Sequence, residues 1–565
     1  MDTTKFKDYK YERIDFDKEI NFLNDLREKF INAKSAEEAK EIILNFDKKN
    51  KELSTTCSLC FIRNSIDTKD SFYKAEKDFL DEHLPIYDVC KNKFYEEILS
   101  SKFRKELEGF FGKHYFELLE CFTIFKEEGI EYLQKINKLT TEYDELIASA
   151  EIEYKGKIYN LSQLTPFSQS EDRKERKEVS ELTTKFFIDN EEKFDNIYDQ
   201  LVKQRHEMAK ALGYDSFIDY QYKNLMRVDY NKEDVAKYRD FVREYVTPVY
   251  LKLREMQKER TCLDSLKYYD TSFKFKDGNA FPKGSTEEKL EKAKKMYHEL
   301  SNETAKFIDF MTEKELFDLE SKPGKAGGGY CTTLDEYNAP FVFANFNGTT
   351  HDVEVLTHEL GHAFQSYTSS DGRLEEYIWP TYEACEIHSM SMEFLTWPWM
   401  ELFFGEDTNK FKFSHLDGAI SFIPYGVTVD EFQHWVYENP YASPEERKRK
   451  YSEIERKYRP DIDYDDNEFL KKGTYWYRQG HIFSTPFYYI DYTLAQVLAF
   501  QFLLKSLDDR QMAFKDYLNI CKTGGIKSFF GIIEDGNLKN PMKDGVIEDI
   551  LPKLLKILED LKENI

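Results

Sequence analysis

The amino-acid sequence predicts a mainly α-helical protein with a small β element. Charged and apolar residues alternate with the period of packed antiparallel helices from about residue 15 to 150, and again over most of the chain after residue 170. Residues 321–348 are the least helical part, because Gly327, Gly328 and Gly329 interrupt any periodic pattern. We expect a flexible loop there, followed by a short strand with the sequence FVFANF.

The change of pattern after residue 150 predicts a domain boundary. Residues 151–164 contain IEYKGKIYNLSQL, which is typical of a short hairpin with Lys155 and Gly156 at its turn. We therefore expect an N-terminal helical domain at residues 1–150 and a second helical domain at residues 151–565. In the second domain, Gly213 is a plausible helix-ending glycine.

The FVFANF strand leaves two alternatives open. It runs directly into the next predicted helix and could offer backbone groups to which an extended peptide adds as a further strand. It could equally be a buried structural strand.

The segment Thr349–Thr368, with the sequence TTHDVEVLTHELGHAFQSYT, predicts one helix around which the chain is organised. Thr349 and Asp352 have the spacing of a capping box, which satisfies free backbone donors in the first turn. Apolar residues at three- and four-residue spacing form one stripe for core packing. This stripe contains Val353, Leu356, Leu360, Ala363, Phe364 and Tyr367.

His358, Glu359 and His362 lie off this stripe and form an HExxH motif. The two histidines are one helical turn apart, so both imidazoles can reach a single ion, and Glu359 lies where it can contact a water molecule on that ion. Imidazole and carboxylate ligands suit Zn²⁺, and a catalytic zinc site keeps one position open for water. The alternative is a pair of ordinary histidines on a structural helix.

A second helix is predicted to open at Pro380, because proline is well placed in a first helical turn. Glu383, Glu386 and Glu393 lie within one side of this helix. One carboxylate there could complete a His, His, Glu zinc set, and another could orient a ligand histidine. Each could also be a solvated surface residue.

A tyrosine-rich segment, KKGTYWYRQGHIFSTPFYYIDYTLAQ, surrounds His481. Phenol and imidazole N–H groups can stabilise negative charge that develops on a substrate carbonyl oxygen. With 38 tyrosines in the chain, however, such clusters are expected by chance. The tyrosines of this segment are Tyr475, Tyr477, Tyr488, Tyr489 and Tyr492.

The overall charge restricts the partners. The chain has 81 basic and 106 acidic residues, a formal charge of −25, which disfavours nucleic acid or an anionic membrane. The N-terminus lacks the apolar core of a signal peptide, so we expect a cytoplasmic location. The eight cysteines are scattered, which suits reduced thiols, and we expect Cys57 and Cys60 to be buried helical thiols.

The order of these features resembles the zinc oligopeptidases that include oligoendopeptidase F and thimet oligopeptidase. The resemblance extends from KGKIYNLSQL through ALGYDSFIDY and GKAGGGY. It is strongest in FNGTTHDVEVLTHELGHAFQS, EACEIHSMSMEF and HIFSTPFYYIDY. The first 150 residues match only in helical character.

The resemblance implies roles for individual residues. His358 and His362 would bind one zinc ion per chain, and Glu359 would be the general base. The family's third ligand is a glutamate with another glutamate seven residues later. This spacing implies Glu386 as the ligand and Glu393 as a residue that supports the ligands without binding the ion, with Glu383 as the fallback ligand. His481, with one of Tyr488, Tyr489 and Tyr492, would stabilise the oxyanion.

The resemblance also implies an elongated helical body with a deep channel that admits short, unstructured peptides. The expected function is a zinc-dependent endopeptidase acting on oligopeptides, with its catalytic core at about residues 321–500. One alternative is a dipeptidyl carboxypeptidase on the same scaffold. Another is a non-catalytic, helical peptide-binding protein. The sequence leaves the oligomeric state open.

Overall fold

The computed structural model describes residues 4–565 and confirms a mainly helical protein. The first five helices of the N-terminal part pack around a core rich in leucine, phenylalanine and tyrosine side chains. Cys57 and Cys60 are buried thiols on the second of these helices, as predicted. The helices of this part are α1 (Phe16–Ile31), α2 (Ala36–Ile66), α3 (Ser71–Leu99), α4 (Arg104–Phe111), α5 (Lys113–Phe122) and α6 (Ile130–Ala148).

The predicted hairpin is present. Strands β1 (Ile152–Tyr154) and β2 (Lys157–Tyr159) pair antiparallel. Lys155 and Gly156 form the turn with φ of 49° and 74°. Two consecutive residues with positive φ are typical of a two-residue hairpin turn whose twist matches the flanking strands.

A second run of helices follows the hairpin. Gly213 has φ of 86° and lies just after α9, which confirms it as a helix-ending glycine. The helices of this run are α7 (Leu161–Leu164), α8 (Arg173–Asp189), α9 (Glu191–Ala211), α10 (Phe217–Asn224), α11 (Lys232–Phe241), α12 (Thr247–Thr261), α13 (Thr286–Leu300) and α14 (Asn302–Glu313).

A three-stranded sheet precedes the HExxH helix. Its strands are β3 (Phe317–Glu320), β4 (Tyr330–Leu334) and β5 (Ala339–Phe346), in the order β3, β5, β4. The FVFANF segment lies in β5, the central and almost entirely buried strand. The buried-strand alternative is therefore correct for FVFANF, and the peptide-addition alternative is wrong because both edges of β5 are already paired.

The predicted flexible loop is partly wrong, because β4 lies within it. The strand pairs antiparallel with β5 from Tyr330, opposite Phe343, to Leu334, opposite Ala339. These hydrogen bonds join β4 to the next strand and do not form within β4 itself, so the local composition of β4 alone could not reveal them.

The HExxH motif lies on α15 (His351–Ser369), which begins two residues later than predicted. The predicted capping box is wrong. The Asp352 carboxylate accepts hydrogen bonds from the backbone N–H groups of Asn347 and Gly348, and it pairs with Lys289. Asp352 therefore satisfies the backbone donors of the tight connection between β5 and α15.

The next helix, α16 (Tyr382–Leu395), begins two residues after Pro380, so the proline precedes the helix rather than opening it. The remaining helices complete the larger hydrophobic core. They are α17 (Glu401–Phe404), α18 (Thr408–Glu438), α19 (Pro444–Tyr458), α20 (Glu468–Lys471), α21 (Gly480–Ser484), α22 (Tyr489–Asp508), α23 (Arg510–Thr523), α24 (Phe529–Asp535) and α25 (Val546–Lys562).

Helices α15 and α16 cross in close contact at Gly361, inside the HExxH motif. A Cβ atom at this position would lie 2.7 Å from the His388 carbonyl oxygen and 2.7 Å from the Ser389 Cα atom. Both are backbone atoms, which cannot move aside as a flexible side chain can. Only glycine therefore permits the approach of the two helices observed here.

A cavity of about 1200 Å³ separates α2, α3 and α6 from the sheet and the start of α16. Thr332 and Thr333 of β4 line one side, together with Trp379 and Tyr382. This cavity agrees with the deep channel that the resemblance implies. Within residues 4–565, no helix is sufficiently long and apolar to cross a membrane.

Replacing Gly361 with alanine should force α15 and α16 apart. We expect a cost of about 1–3 kcal/mol from overpacking, together with weaker metal binding, because the two helices carry the candidate ligands. Thermal unfolding and metal titration of the purified variant measure both effects. Gly109→Ala is the matched control, since a Cβ atom at this helical glycine meets nothing within 4 Å. A Gly361→Ala variant as stable as this control would contradict the prediction.

Candidate metal centre

Three side chains from α15 and α16 converge on one point. The Nε2 atoms of His358 and His362 lie 3.2 Å and 3.4 Å from Oε2 of Glu386. One ligand atom from each residue falls within 4.8 Å of the other two. Among residues 4–565, this is the group of three histidine, cysteine or acidic residues whose geometry suits a metal ion.

The chemistry of these donors fits zinc. Two imidazole nitrogens and one carboxylate oxygen match the His₂Glu set of catalytic zinc sites. Glu386 is 1% exposed, and burial alone would disfavour its charge. The facing imidazoles of His362 and His358 outweigh burial and hold the pKa of Glu386 well below its ordinary value. The carboxylate is therefore ionised and available to bind a cation.

Glu393 connects the cluster to a third helix. His358 Nδ1 donates a hydrogen bond of 2.7 Å to Glu393 Oε1, and His415 Nε2 of α18 donates one of 2.6 Å to Glu393 Oε2. Trp397 Nε1 in turn donates to His415 Nδ1 at 2.9 Å. Because Nδ1 of His358 donates to Glu393, Nε2 is the ring atom that remains to bind an ion beside Glu386 and His362.

Glu359 lies beside the cluster and differs from Glu386 in its surroundings. It is 6% exposed, and its Oε2 atom has no hydrogen-bond partner among the described residues. Burial raises the pKa of Glu359, although His358 and His362 oppose the shift. A raised pKa makes a carboxylate a stronger proton acceptor, as a general base requires.

The fallback residue, Glu383, lies apart from the three donors. It is 1% exposed and interacts with Arg227 and Tyr230. Burial raises its pKa to about 7, while Arg227 lowers it. Of the two candidate carboxylates on α16, Glu386 is the one that meets the imidazoles.

His481 presents a hydrogen-bond donor near the cluster. Gln479 Oε1 accepts a hydrogen bond from the Tyr425 hydroxyl, so its Nε2 atom faces His481 Nδ1 at 2.8 Å. The imidazole proton is then on Nε2, which lies 3.1 Å from the Tyr492 hydroxyl. Burial lowers the pKa of His481 to about 4, which keeps the ring neutral at pH 7.

The three candidate tyrosines have different surroundings. The Tyr488 hydroxyl donates to Glu386 Oε1, so Tyr488 contacts the candidate ligand itself. Tyr492 pairs with His481. The Tyr489 ring packs against His481, with ring centroids 5.1 Å apart, and against Phe422.

Sequence analysis missed several supporting residues, among them His415, Gln479 and Arg227. Arg227 Nη2 donates to the Phe487 carbonyl oxygen at 2.5 Å and to Asp491 Oδ1 at 2.8 Å. It thereby fixes the segment that carries Tyr488 and Tyr492. No local pattern could have identified Arg227, because more than 250 residues separate it from its partners.

Comparison with known proteins identifies similar chains. The family profile described as Peptidase M3 N-terminal domain matches residues 6–123, and the profile described as Peptidase family M3 matches residues 167–550. Oligopeptidase PepF of Bacillus subtilis (strain 168) is 23% identical over 534 residues, which cover 87% of this chain and 76% of PepF.

Two solved structures are similar over almost the full length. The structure titled PZ peptidase A with inhibitor 2 has 48% identity and a TM-score of 0.98, covering 99% of this chain and 100% of that chain. A putative oligoendopeptidase F from Bacillus anthracis str. Ames has 47% identity and a TM-score of 0.93, covering 99% of each chain.

Replacing Glu393 with alanine should weaken metal binding without removing a direct ligand. His358 Nδ1 would lose its acceptor, so we expect the affinity for zinc to fall about 10–100-fold. Competition with a chromogenic chelator measures this affinity. Glu468→Ala, at a side chain that is 80% exposed, is the control. Equal zinc affinities for the two variants would show that Glu393 does not support His358.

Proposed function

The chain belongs to peptidase family M3, and from this premise we propose that it is a zinc-dependent endopeptidase of short, unstructured oligopeptides. The convergence of His358, His362 and Glu386, with Glu359 beside them, is the observation that carries the proposal. The names of two similar proteins, oligopeptidase PepF and a putative oligoendopeptidase F, agree with peptide substrates.

We assign zinc binding to His358, His362 and Glu386, with one ion per chain. Zinc, when bound, supplies the Lewis acidity that makes water a nucleophile at neutral pH. Glu393 and Tyr488 orient two of these ligands through the hydrogen bonds to His358 and Glu386. Their role is to hold the donor atoms in place.

Glu359 is the proposed general base. Its Oε2 atom takes a proton from the attacking water as the oxygen adds to the scissile carbonyl carbon. Glu359 then delivers this proton to the leaving amine nitrogen, so the carboxylate is regenerated. The buried position and raised pKa of Glu359 support this exchange.

His481 and Tyr492 are the proposed donors to the developing oxyanion. The neutral His481 ring directs its Nε2–H group toward the Tyr492 hydroxyl. Each of these two groups can instead donate a hydrogen bond to a substrate carbonyl oxygen. Donors that are already in place stabilise charge as it forms in the transition state. Tyr489, whose ring packs on His481, supports the orientation of the imidazole.

The large cavity supports an extended peptide as the substrate. Its volume of about 1200 Å³ exceeds the range of about 300–1000 Å³ that is usual for small ligands. Trp379, at its wall, lies 6.4 Å from the His362 ring. The cavity therefore extends to within one side chain of the proposed ligand His362.

Replacing Glu359 with glutamine should retain zinc but reduce kcat about 10²–10⁴-fold, because the amide cannot accept the proton. Hydrolysis of an internally quenched peptide, blocked at both ends, and elemental analysis measure the two quantities. Cleavage of this doubly blocked peptide by the unmodified protein also separates an endopeptidase from a dipeptidyl carboxypeptidase. A glutamine variant with unchanged kcat would remove Glu359 as the base.

Replacing His481 with phenylalanine should lower kcat about 10²–10³-fold, since a donor to the oxyanion is lost. KM and zinc content should change little, because the substitution leaves the metal ligands intact. Steady-state kinetics on the same peptide provide the measurement. A rise in KM at constant kcat would instead assign His481 to substrate binding.

A further inference from the structure

A second cavity opens beside the proposed oxyanion donors. It has a volume of about 310 Å³, and we name it the Gly418 pocket. Its walls are formed by Met390, Gly418, Ala419, Phe422 and Tyr489. It shares no lining residue with the cavity of about 1200 Å³.

The position of the Gly418 pocket relates it to the reaction. His481 and Tyr492 form part of its lining, and so do Glu393 and His415, which support the ligand His358. A peptide whose scissile carbonyl contacts His481 Nε2 therefore has the pocket beside that carbonyl. The side chain that can enter the pocket belongs to a residue next to the scissile bond.

The pocket is large enough for one bulky side chain. Its volume is at the lower end of the range for small-ligand sites. Gly418 and Ala419, on consecutive positions of α18, leave this space free. A Cβ atom built at Gly418 meets nothing within 4 Å, so any larger residue at this position would project into open volume.

The chemistry of the walls favours uncharged side chains. Aliphatic and aromatic groups form most of the surface, which favours burial of apolar substrate atoms. The Glu354 carboxylate, 25% exposed, also lines the pocket and disfavours acidic side chains through like-charge repulsion.

We propose that the Gly418 pocket is a specificity pocket that binds a large, uncharged side chain next to the scissile bond. This inference rests on the proposed peptidase function. It adds a class of preferred substrates to that function. Gly418, which contacts neither the proposed zinc ligands nor the proposed base, is the residue that leaves space for the large side chain.

The experiment compares peptides cleaved by the unmodified protein and by Gly418→Leu. Two quenched series vary the residue directly before or directly after the scissile bond among alanine, leucine, phenylalanine, tyrosine and glutamate. For the unmodified protein, kcat/KM in one series should be highest for the aromatic residues and lowest for glutamate. Gly418→Leu should reduce kcat/KM for the aromatic peptides about 10–200-fold. It should leave the alanine peptide within about threefold.

The matched control is Gly109→Leu, at a helical glycine whose Cβ also meets open space but which lies on α4. This control should preserve the substrate ranking. Gly418→Ala fills less of the pocket and should change the order of kcat/KM values among the peptides in the same direction. This variant keeps the test valid if Gly418→Leu folds poorly. An unchanged ranking in Gly418→Ala, or an equal loss for all peptides in zinc-loaded, folded Gly418→Leu, would overturn the pocket assignment.

The experiment distinguishes failure of the proposed peptidase function from failure of the pocket assignment. A protein that cleaves none of the peptides after zinc is supplied contradicts the peptidase function itself. A protein that cleaves them in a zinc-dependent manner, with a ranking insensitive to residue 418, contradicts only the role of the Gly418 pocket.

Discussion

The close crossing of α15 and α16 at Gly361 is the constraint on which the candidate site depends. Because this residue has no side chain, the backbone of α16 at His388 and Ser389 lies directly against α15. Glu386 is thereby brought within 3.4 Å of both His358 and His362. A metal ion requires donors from different elements at nearly fixed positions, and this packing contact supplies them.

Three glutamates of the site have different electrostatic surroundings, and this difference separates their roles. Imidazole partners keep Glu386 ionised, and they lower the pKa of Glu393 to about 2 against the effect of burial. Glu359 has no such hydrogen bond to an imidazole, and burial raises its pKa. Environments that move pKa values apart allow neighbouring carboxyl groups to perform different tasks. Glu386 and Glu393 are therefore suited to holding the metal site in place, and Glu359 is suited to transferring a proton.

The sequence predicted the parts of the structure that depend on local pattern. Helical periodicity, the Lys155–Gly156 turn and the spacing of His358 and His362 are all expressed within a few residues. Strand β4 was missed because its stability comes from pairing with β5, and His415 was missed because it reaches Glu393 from another helix. Glu386 could be preferred over Glu383 only through the family resemblance, since helical geometry placed both on one side of α16.

The measurement that tests the central claim most directly is anomalous X-ray diffraction at the zinc absorption edge, from crystals of the zinc-loaded protein. The account predicts one strong peak per chain, bounded by Nε2 of His358, Nε2 of His362 and the carboxylate of Glu386. A peak at another group of residues, or no peak after loading with stoichiometric zinc, would contradict the account.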